Sequence, residues 1–210
     1  MTNDGTHLRV PRATQTTVYA VVLAAGQSER FGSAKLLADL NGRPLLHHAL
    51  SAAQGACPGN VCLVVGHRSD EIRDTAAGLA DLIVTNEEYE SGIGSSISRG
   101  VQACRDRADA ILVVLADQPL VTASHLSELV RTWTGSPDEI IASRFSGIDG
   151  PPVLFASGLF DQLGLLSGDM GARQVLLRNA HAVRAVKFEP ASVDVDTPAD
   201  IEELADRHPS

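Results

Sequence analysis

Apolar residues in this chain recur in short unbroken runs rather than in strict alternation, and no other feature constrains the fold as much. Val18–Gly26 reads VYAVVLAAG, Val61–Gly66 reads VCLVVG, Asp81–Asn86 reads DLIVTN and Asp109–Pro119 reads DAILVVLADQP. A β-branched run without alternation is a strand covered on both faces, which is the signature of a parallel sheet between helical layers. The intervening segments carry helix signals. Pro44 opens Leu45–Gln54, which Gly55 and Pro58-Gly59 should end. Asp70–Gly78, Ser95–Arg105 and Thr122–Trp133 follow as helices, with Thr122 as N-cap. Glu139–Ser143, Pro152–Ala156 and Ala182–Phe188 read as further strands, Ser157–Leu163 and Met170–Asn179 as helices, and Thr197-Pro198 starts a last helix. Strands separated by helices imply right-handed crossovers and an α/β fold with a mostly parallel central sheet. Residues 18–207 read as one domain, behind a polar arm over residues 1–17 that lacks the apolar stretch of a secretory signal.

Composition excludes several function classes. The 210 residues carry a formal charge of −9, a poor match for nucleic acid or an anionic membrane surface. The apolar runs are far shorter than the ~20 residues a membrane-spanning helix needs. Cys57, Cys62 and Cys104 lack C-x-x-C spacing, so they read as small buried hydrophobes in a reducing, cytoplasmic setting. Adjacent His47 and His48 on one helix face different ways and do not make a joint metal site. Trp133 reads as a packing residue and His67 as a loop histidine.

In open α/β sheets, ligands bind outside the carboxyl ends of the strands. That rule selects Ala24–Lys35, Gly66–His67, Asn86–Ser96 and Asp117–Pro119. The first of these continues the strand as LAAGQSERFGSAK, with Gly26, Gly32, Arg30 and Lys35 in one short loop. Glycines permit close backbone approach, free amides make a concave anion site, and Arg and Lys add charge. A phosphate-binding loop is the reading these features favour over a turn with solvated charges. It is not a Walker A loop, because five residues separate the glycines and Lys35 comes three after Gly32. Nor is it a dinucleotide fingerprint, because Gln27-Ser28 follows Gly26. Asp117, delivered by a buried strand to the same edge, suits a Mg²⁺ ligand working beside phosphate oxygens. Asp196, before Thr197-Pro198, reads either as a second ligand or as a helix cap.

Taken together, these motifs resemble the nucleotidyltransferases that mature the molybdenum cofactor. LAAGQSERFGSAK is similar to their signature loop and LADQP (Leu115–Pro119) to their metal-binding strand end. NEEYESGIGSSISRG (Asn86–Gly100), SGDMGAR (Ser167–Arg173) and DVDTPAD (Asp194–Asp200) follow in the family's order. The resemblance covers about Val18 to Leu204 and implies a Rossmann-like three-layer nucleotidyltransferase fold with Mg²⁺. It implies Arg30 and Lys35 as catalytic cations. It places nucleotide binding at Leu23, Ala24, Ala25, Gly26, Lys35, Gly66, Asn86 and Ser96, and metal at Asp117 and Asp196. It puts the acceptor near Gly150, Asp169 and Arg173. Ala24-Ala25-Gly26 is similar to the CTP-using branch, in which CMP passes to the terminal phosphate of a molybdopterin-type acceptor and pyrophosphate leaves. A molybdenum hydroxylase is then the implied docking partner. The chain departs from the pattern at Phe31 (usually Met), at Tyr89 (commonly Trp) and at Gly150-Pro151-Pro152, where Gly-His-Pro is frequent. Three other readings stay open, the first of them kept so by the last departure, which lies on the acceptor side. One is an NAD(P)H-dependent oxidoreductase of a small pigment or quinone, the second a sugar- or alcohol-phosphate nucleotidyltransferase, and the third a non-catalytic cofactor carrier.

Overall fold

The structure, a computed structural model, describes residues 16–27, 31 and 34–207. The expected N-terminal arm therefore lies outside the described residues, apart from Thr16 and Thr17. The elements in chain order begin with β1 (Val18–Ala24), then a two-residue hairpin of β2 (Asp39–Leu40) and β3 (Arg43–Pro44). Next come α1 (Leu45–Ala56), β4 (Val61–Val65), α2 (Ser69–Thr75), β5 (Leu82–Thr85), α3 (Ile93–Cys104), β6 (Ala110–Leu115) and α4 (Ala123–Thr132). The last part holds β7 (Ile140–Phe145), β8 (Ile148–Ala156), α5 (Phe160–Gly164), α6 (Ala172–Arg178), β9 (Val183–Lys187) and α7 (Pro198–Arg207).

Among the described residues, seven strands form one sheet in the order β5-β4-β1-β6-β8-β7-β9. β5, β4, β1 and β6 run parallel, β8 is antiparallel to both its neighbours, and β9 is parallel to β7. The chain steps outward from β1 to β5 and then returns to β6 on the other side of β1. Loops after β1 and β6 both lead to helices on one face, α1 and α4, whereas the loop after β5 leads to α3 on the other face, and a crevice opens between them at the carboxyl ends of β1 and β6.

The two-faced burial expected of the apolar runs holds for β1, β4 and β6, whereas β5, at the edge of the sheet, is only partly buried along its length. Along β1, Val18, Ala20, Val22 and Ala24 join the core with α1 and α4, while Val21 and Leu23 join the core with α3, α5 and α6. β6 divides the same way, Leu112 and Val114 against Ile111 and Val113. This is the three-layer α/β arrangement. Among the described residues, no helix is long and apolar enough to cross a membrane. The three cysteines are buried and free.

Some boundaries fall elsewhere than expected. α1 continues through Gly55 to Ala56, because a Cβ at Gly55 would come 2.7 Å from Cβ of Ala123. The glycine is there for the approach of α4, not to end the helix. β8 starts at Ile148, four residues before the expected Pro152, as the return arm of a hairpin with β7. Ser157–Leu163 divides into a 3-10 turn (Ser157–Leu159) and α5. His47 and His48 reach different carbonyls, those of Thr75 and Leu40. Trp133 is buried with its indole N–H donating to the Ser136 carbonyl. Thr122 does cap α4, its hydroxyl accepting from the His125 amide at 3.2 Å.

His125 fastens α4 to the β7–β8 hairpin. Ser143 donates its hydroxyl to the Pro152 carbonyl at 2.8 Å, so the Ser143 oxygen accepts from His125 Nε2–H at 2.7 Å. The imidazole stacks on Phe188 with centroids 3.8 Å apart, and its buried Nδ1 has no partner among the described residues. A second proton would leave an unpaired N–H in the core, and burial holds this group down at about 4, against 6.5 ordinarily. Between those values the unfolded chain binds the extra proton and the folded one does not. The His125 contribution is therefore complete above pH 6.5 and is lost as pH falls toward 4. In denaturant unfolding at pH 7 and pH 5, wild type should lose about 2 kcal/mol more than His125→Gln on acidification.

Candidate active site

The crevice between β1 and β6 collects its side chains from three distant stretches of sequence. β6 ends at Leu115, and its continuation carries Asp117 to the sheet edge. The Asp117 carbonyl accepts from the Val195 amide at 3.0 Å, and the Gln118 side chain donates to the Ala191 carbonyl at 2.8 Å. Ala191 and Val195 are fully buried, so the segment before α7 is laced across the strand ends. That lacing brings Asp196 beside Asp117. The Asp200 carboxylate accepts from the amides of Asp196 (2.8 Å) and Thr197 (2.7 Å) and fixes the turn. These bonds, the one from Asp196 first, hold the Asp200 carboxyl below its ordinary range.

Lys35 completes the group. It sits in a 3-10 turn, Lys35–Leu37, and is buried despite its charge. Its Nζ donates to Asp117 Oδ2 at 2.8 Å and to Asp196 Oδ1 at 3.4 Å. The two carboxylates thus converge on one cationic atom. Asp194 stands nearby, and desolvation, then the charge of Asp117, push its carboxyl above the ordinary value. Among the described residues, no group of three His, Cys, Asp or Glu side chains could hold a metal by itself. Two hard oxygen donors already arranged around a cation fit Mg²⁺, which is held by one or two carboxylates with water and substrate phosphates supplying the remainder.

A cleft of about 250 Å³ lies against this cluster, lined by Leu23, Ala25, Gly26, Tyr89, Ser96 and Asp117, with Gly92 and Ile93 at the start of α3. Gly26 also borders a smaller hollow beside Lys35, together with Gln27, His67 and Arg68. Among the described residues, nothing requires glycine at position 26. Its φ is not in the left-handed region, and an added Cβ would meet nothing within 4 Å. The missing side chain leaves open space at the mouth of the cleft, as close approach of a ligand to the backbone would need.

The other expected residues fall into groups. Ser96 lines the cleft directly. Asn86 is buried behind it and donates to Ser95 Oγ (2.8 Å) and Ser96 Oγ (3.0 Å), while its carbonyl accepts from the Glu88 amide (3.0 Å). Its polar groups are used inside the protein, so it positions Ser96. Gly66 also sits behind the lining, where a Cβ would come 2.6 Å from Cβ of Tyr89. Asp169 is drawn to the cleft by interlocked loops: the Gly94 amide donates to the Gly168 carbonyl at 2.9 Å, and a Cβ on Gly92 would come 2.7 Å from Asp169 Oδ1. Arg173 does not line the cleft. It faces a separate hollow with Ile148, Asp149, Leu176 and Leu177, one residue from Gly150 at the same end of the sheet. Arg30 and Gly32 lie outside the described residues. Sequence reading missed Arg68 and left His67 as a loop residue. Both follow a buried strand ending at the crevice, and that position was the available signal.

The chain matches the MobA-like NTP transferase domain over residues 20–183. It is 33% identical over 189 residues to the purine catabolism protein PucB of Bacillus subtilis, covering 85% of this chain and 91% of that one. The bifunctional protein GlmU of Trichlorobacter lovleyi is 34% identical over 119 residues, 56% of this chain but only 26% of GlmU. Among solved structures, Rv0371c of Mycobacterium tuberculosis superposes with a TM-score of 0.80 at 30% identity, over 92% of this chain and 99% of that one. A manganese complex of Rv0371c gives 0.77 at 27% identity, over 92% and 100%.

The convergence on Lys35 Nζ sets up a competition between its ammonium and a divalent cation. Lys35→Met should bind Mn²⁺ in the absence of nucleotide several-fold more tightly than wild type, read by the loss of the free-ion EPR signal. Adding Asp117→Asn should remove that gain.

Proposed function

The chain belongs to the MobA-like NTP transferase family, and on that premise we propose that it transfers CMP from CTP to the terminal phosphate of a molybdopterin-type acceptor. The observation that carries this reading is the meeting of Lys35, Asp117 and Asp196 at the β1–β6 crevice, beside a cleft whose Gly26 no described residue requires.

In this reaction an oxygen of the acceptor phosphate attacks the α-phosphorus of CTP. The bond from that phosphorus to the bridging oxygen breaks, and pyrophosphate leaves with the electron pair. Such transfers depend on positioning and charge neutralisation more than on covalent help. The backbone from Ala25 onward would receive the triphosphate. Lys35 would exchange its carboxylate partners for phosphate oxygens, moving its charge to where negative charge develops. Arg30, outside the described residues, is proposed as the second cation of the same loop. Asp117 and Asp196, released from Lys35, would hold Mg²⁺, which supplies further charge neutralisation when bound. Ser96, set by Asn86, would meet the base.

The lean toward CTP rests on Ala25. Its methyl group lines the cleft of about 250 Å³, where glycine would leave more room. A narrower cleft favours a pyrimidine over the larger purine. Asp169, beside the α3 N-terminus, and Arg173, in the neighbouring hollow with Gly150, are proposed on the acceptor side. Arginine suits a phosphate there, and the apolar Leu176 and Leu177 suit a flat ring. A molybdenum hydroxylase is the proposed recipient of the product.

Pyrophosphate release should require CTP, a divalent cation and molybdenum cofactor together, with GTP and ATP at least tenfold slower. Asp117→Ala and Lys35→Ala should each lower kcat about 100-fold or more. Gly26→Val should leave Tm within a degree or two of wild type while raising KM for CTP about tenfold, since its side chain would enter ligand space only. Failure of every triphosphate, alongside NADPH oxidation with a pigment or quinone, would overturn the transferase reading.

A further inference from the structure

The cavity at the outer edge of β5 is more than twice the volume of the cleft at Asp117, about 610 Å³ against 250 Å³, and nothing in the transfer reaction uses it. Its principal polar lining is Arg73 from α2, Thr85 from β5, and Arg99 and Gln102 from α3, with Leu166 as an apolar patch. Among the described residues β5 ends the sheet, and its outer backbone has no strand partner there.

Thr85 gathers both arginines. Arg73 Nη2 donates to the Thr85 hydroxyl at 2.5 Å, and Arg99 Nε donates to the Thr85 carbonyl at 3.0 Å. Each guanidinium is oriented by one bond and keeps most of its five N–H donors for something else. Among the described residues neither has an ion-pair partner, whereas Arg68, Arg105, Arg144 and Arg184 each have a carboxylate within 2.7 Å. Glu87 and Glu88 also border this cavity and, like Arg99, are exposed; neither bonds to either arginine. Two like charges held on one residue repel each other, and an anion between them would turn that repulsion into attraction. Paired guanidinium forks suit phosphate oxygens, and Leu166 offers contact for an apolar portion of the same ligand.

The cavity shares a wall with the cleft. Asn86 and Ser95 line it, Ser96 lines the cleft, and the Asn86 amide bonds to both hydroxyls. We propose that the β5 edge is a second anion site, taking a small phosphate-bearing molecule between Arg73 and Arg99 and bearing on Ser96 through Asn86. Coupling of this kind works in both directions, so a ligand at either site would change affinity at the other. The binding itself does not depend on which nucleotide or acceptor the cleft takes.

The test is titration of the full chain with inorganic phosphate, followed by the arginine Nε–Hε and asparagine side-chain signals in ¹H–¹⁵N NMR. Substitution assigns the signals, and chloride at matched ionic strength is the control. Phosphate should move Arg73, Arg99 and the Asn86 NH₂ pair along one saturable curve that chloride does not reproduce. Arg73→Gln/Arg99→Gln, with an otherwise unchanged amide spectrum, should abolish saturation at this edge while leaving any phosphate response near Lys35. Non-saturating shifts equal to those from chloride would overturn the site. Saturation at the arginines with Asn86 unmoved would overturn its link to Ser96. Neither readout requires turnover, so failure here is separate from failure of the proposed reaction.

Discussion

β1 has no free side. β4 pairs with one edge and β6 with the other, and its side chains alternate into two separate cores. Every polar backbone group between Val18 and Ala24 must be satisfied within the sheet, and every side chain must be apolar or small. The chain can become polar again only once it leaves the strand, and it does so beside the other central strand, β6. The crevice is thus a consequence of how completely β1 is buried. Charged groups such as Lys35 and Asp117 collect there because the strand ends are where the buried sheet meets water.

Within that crevice, one ion cluster reconciles burial with charge. A buried lysine is tolerable only when paired, and Lys35 has two carboxylates in reach. Neither of those is deeply buried, so the cluster can exchange partners with an incoming ligand at modest cost. The acids are themselves set by backbone hydrogen bonds: the Val195 amide on the Asp117 carbonyl, and the amides of Asp196 and Thr197 on the Asp200 carboxylate. A comparable division runs through the opposite wall of the cleft. There Asn86 uses its amide to place Ser96, and the close contact of Gly92 and Gly94 with residues 167–170 leaves no room for a side chain at either glycine.

Much of this was legible in the chain. Unbroken apolar runs gave away two-faced strands, and the positions just after them gave away the crevice, including Gly26, Lys35, Ser96 and Asp117. The antiparallel β8 was harder to read. Its first half, IDGP, has neither the length nor the apolar run of a buried strand, and only pairing with β7 makes it one. Gly55 looked like a helix end because glycine weakens helices. Its actual reason, the proximity of Ala123, is a contact across 68 residues of sequence. The sequence points to Asn86 and Gly66 as nucleotide-binding residues, and the structure sets both behind the cleft lining, because whether a residue touches the cleft or props up one that does depends on side-chain packing.

The sequence by itself determined which segments are buried, that they alternate with helices, and which loops would carry charge to the sheet edge. These are local properties, set by side-chain hydrophobicity and backbone preference. Tertiary structure alone decided that Asp196 would share a lysine with Asp117 79 residues earlier, that Arg173 would face its own hollow, and that Arg73 and Arg99 would meet on Thr85. Each of these depends on the order of strands in the sheet and on which helix covers which face. Packing of the whole chain chooses that order, and no short stretch of residues encodes it.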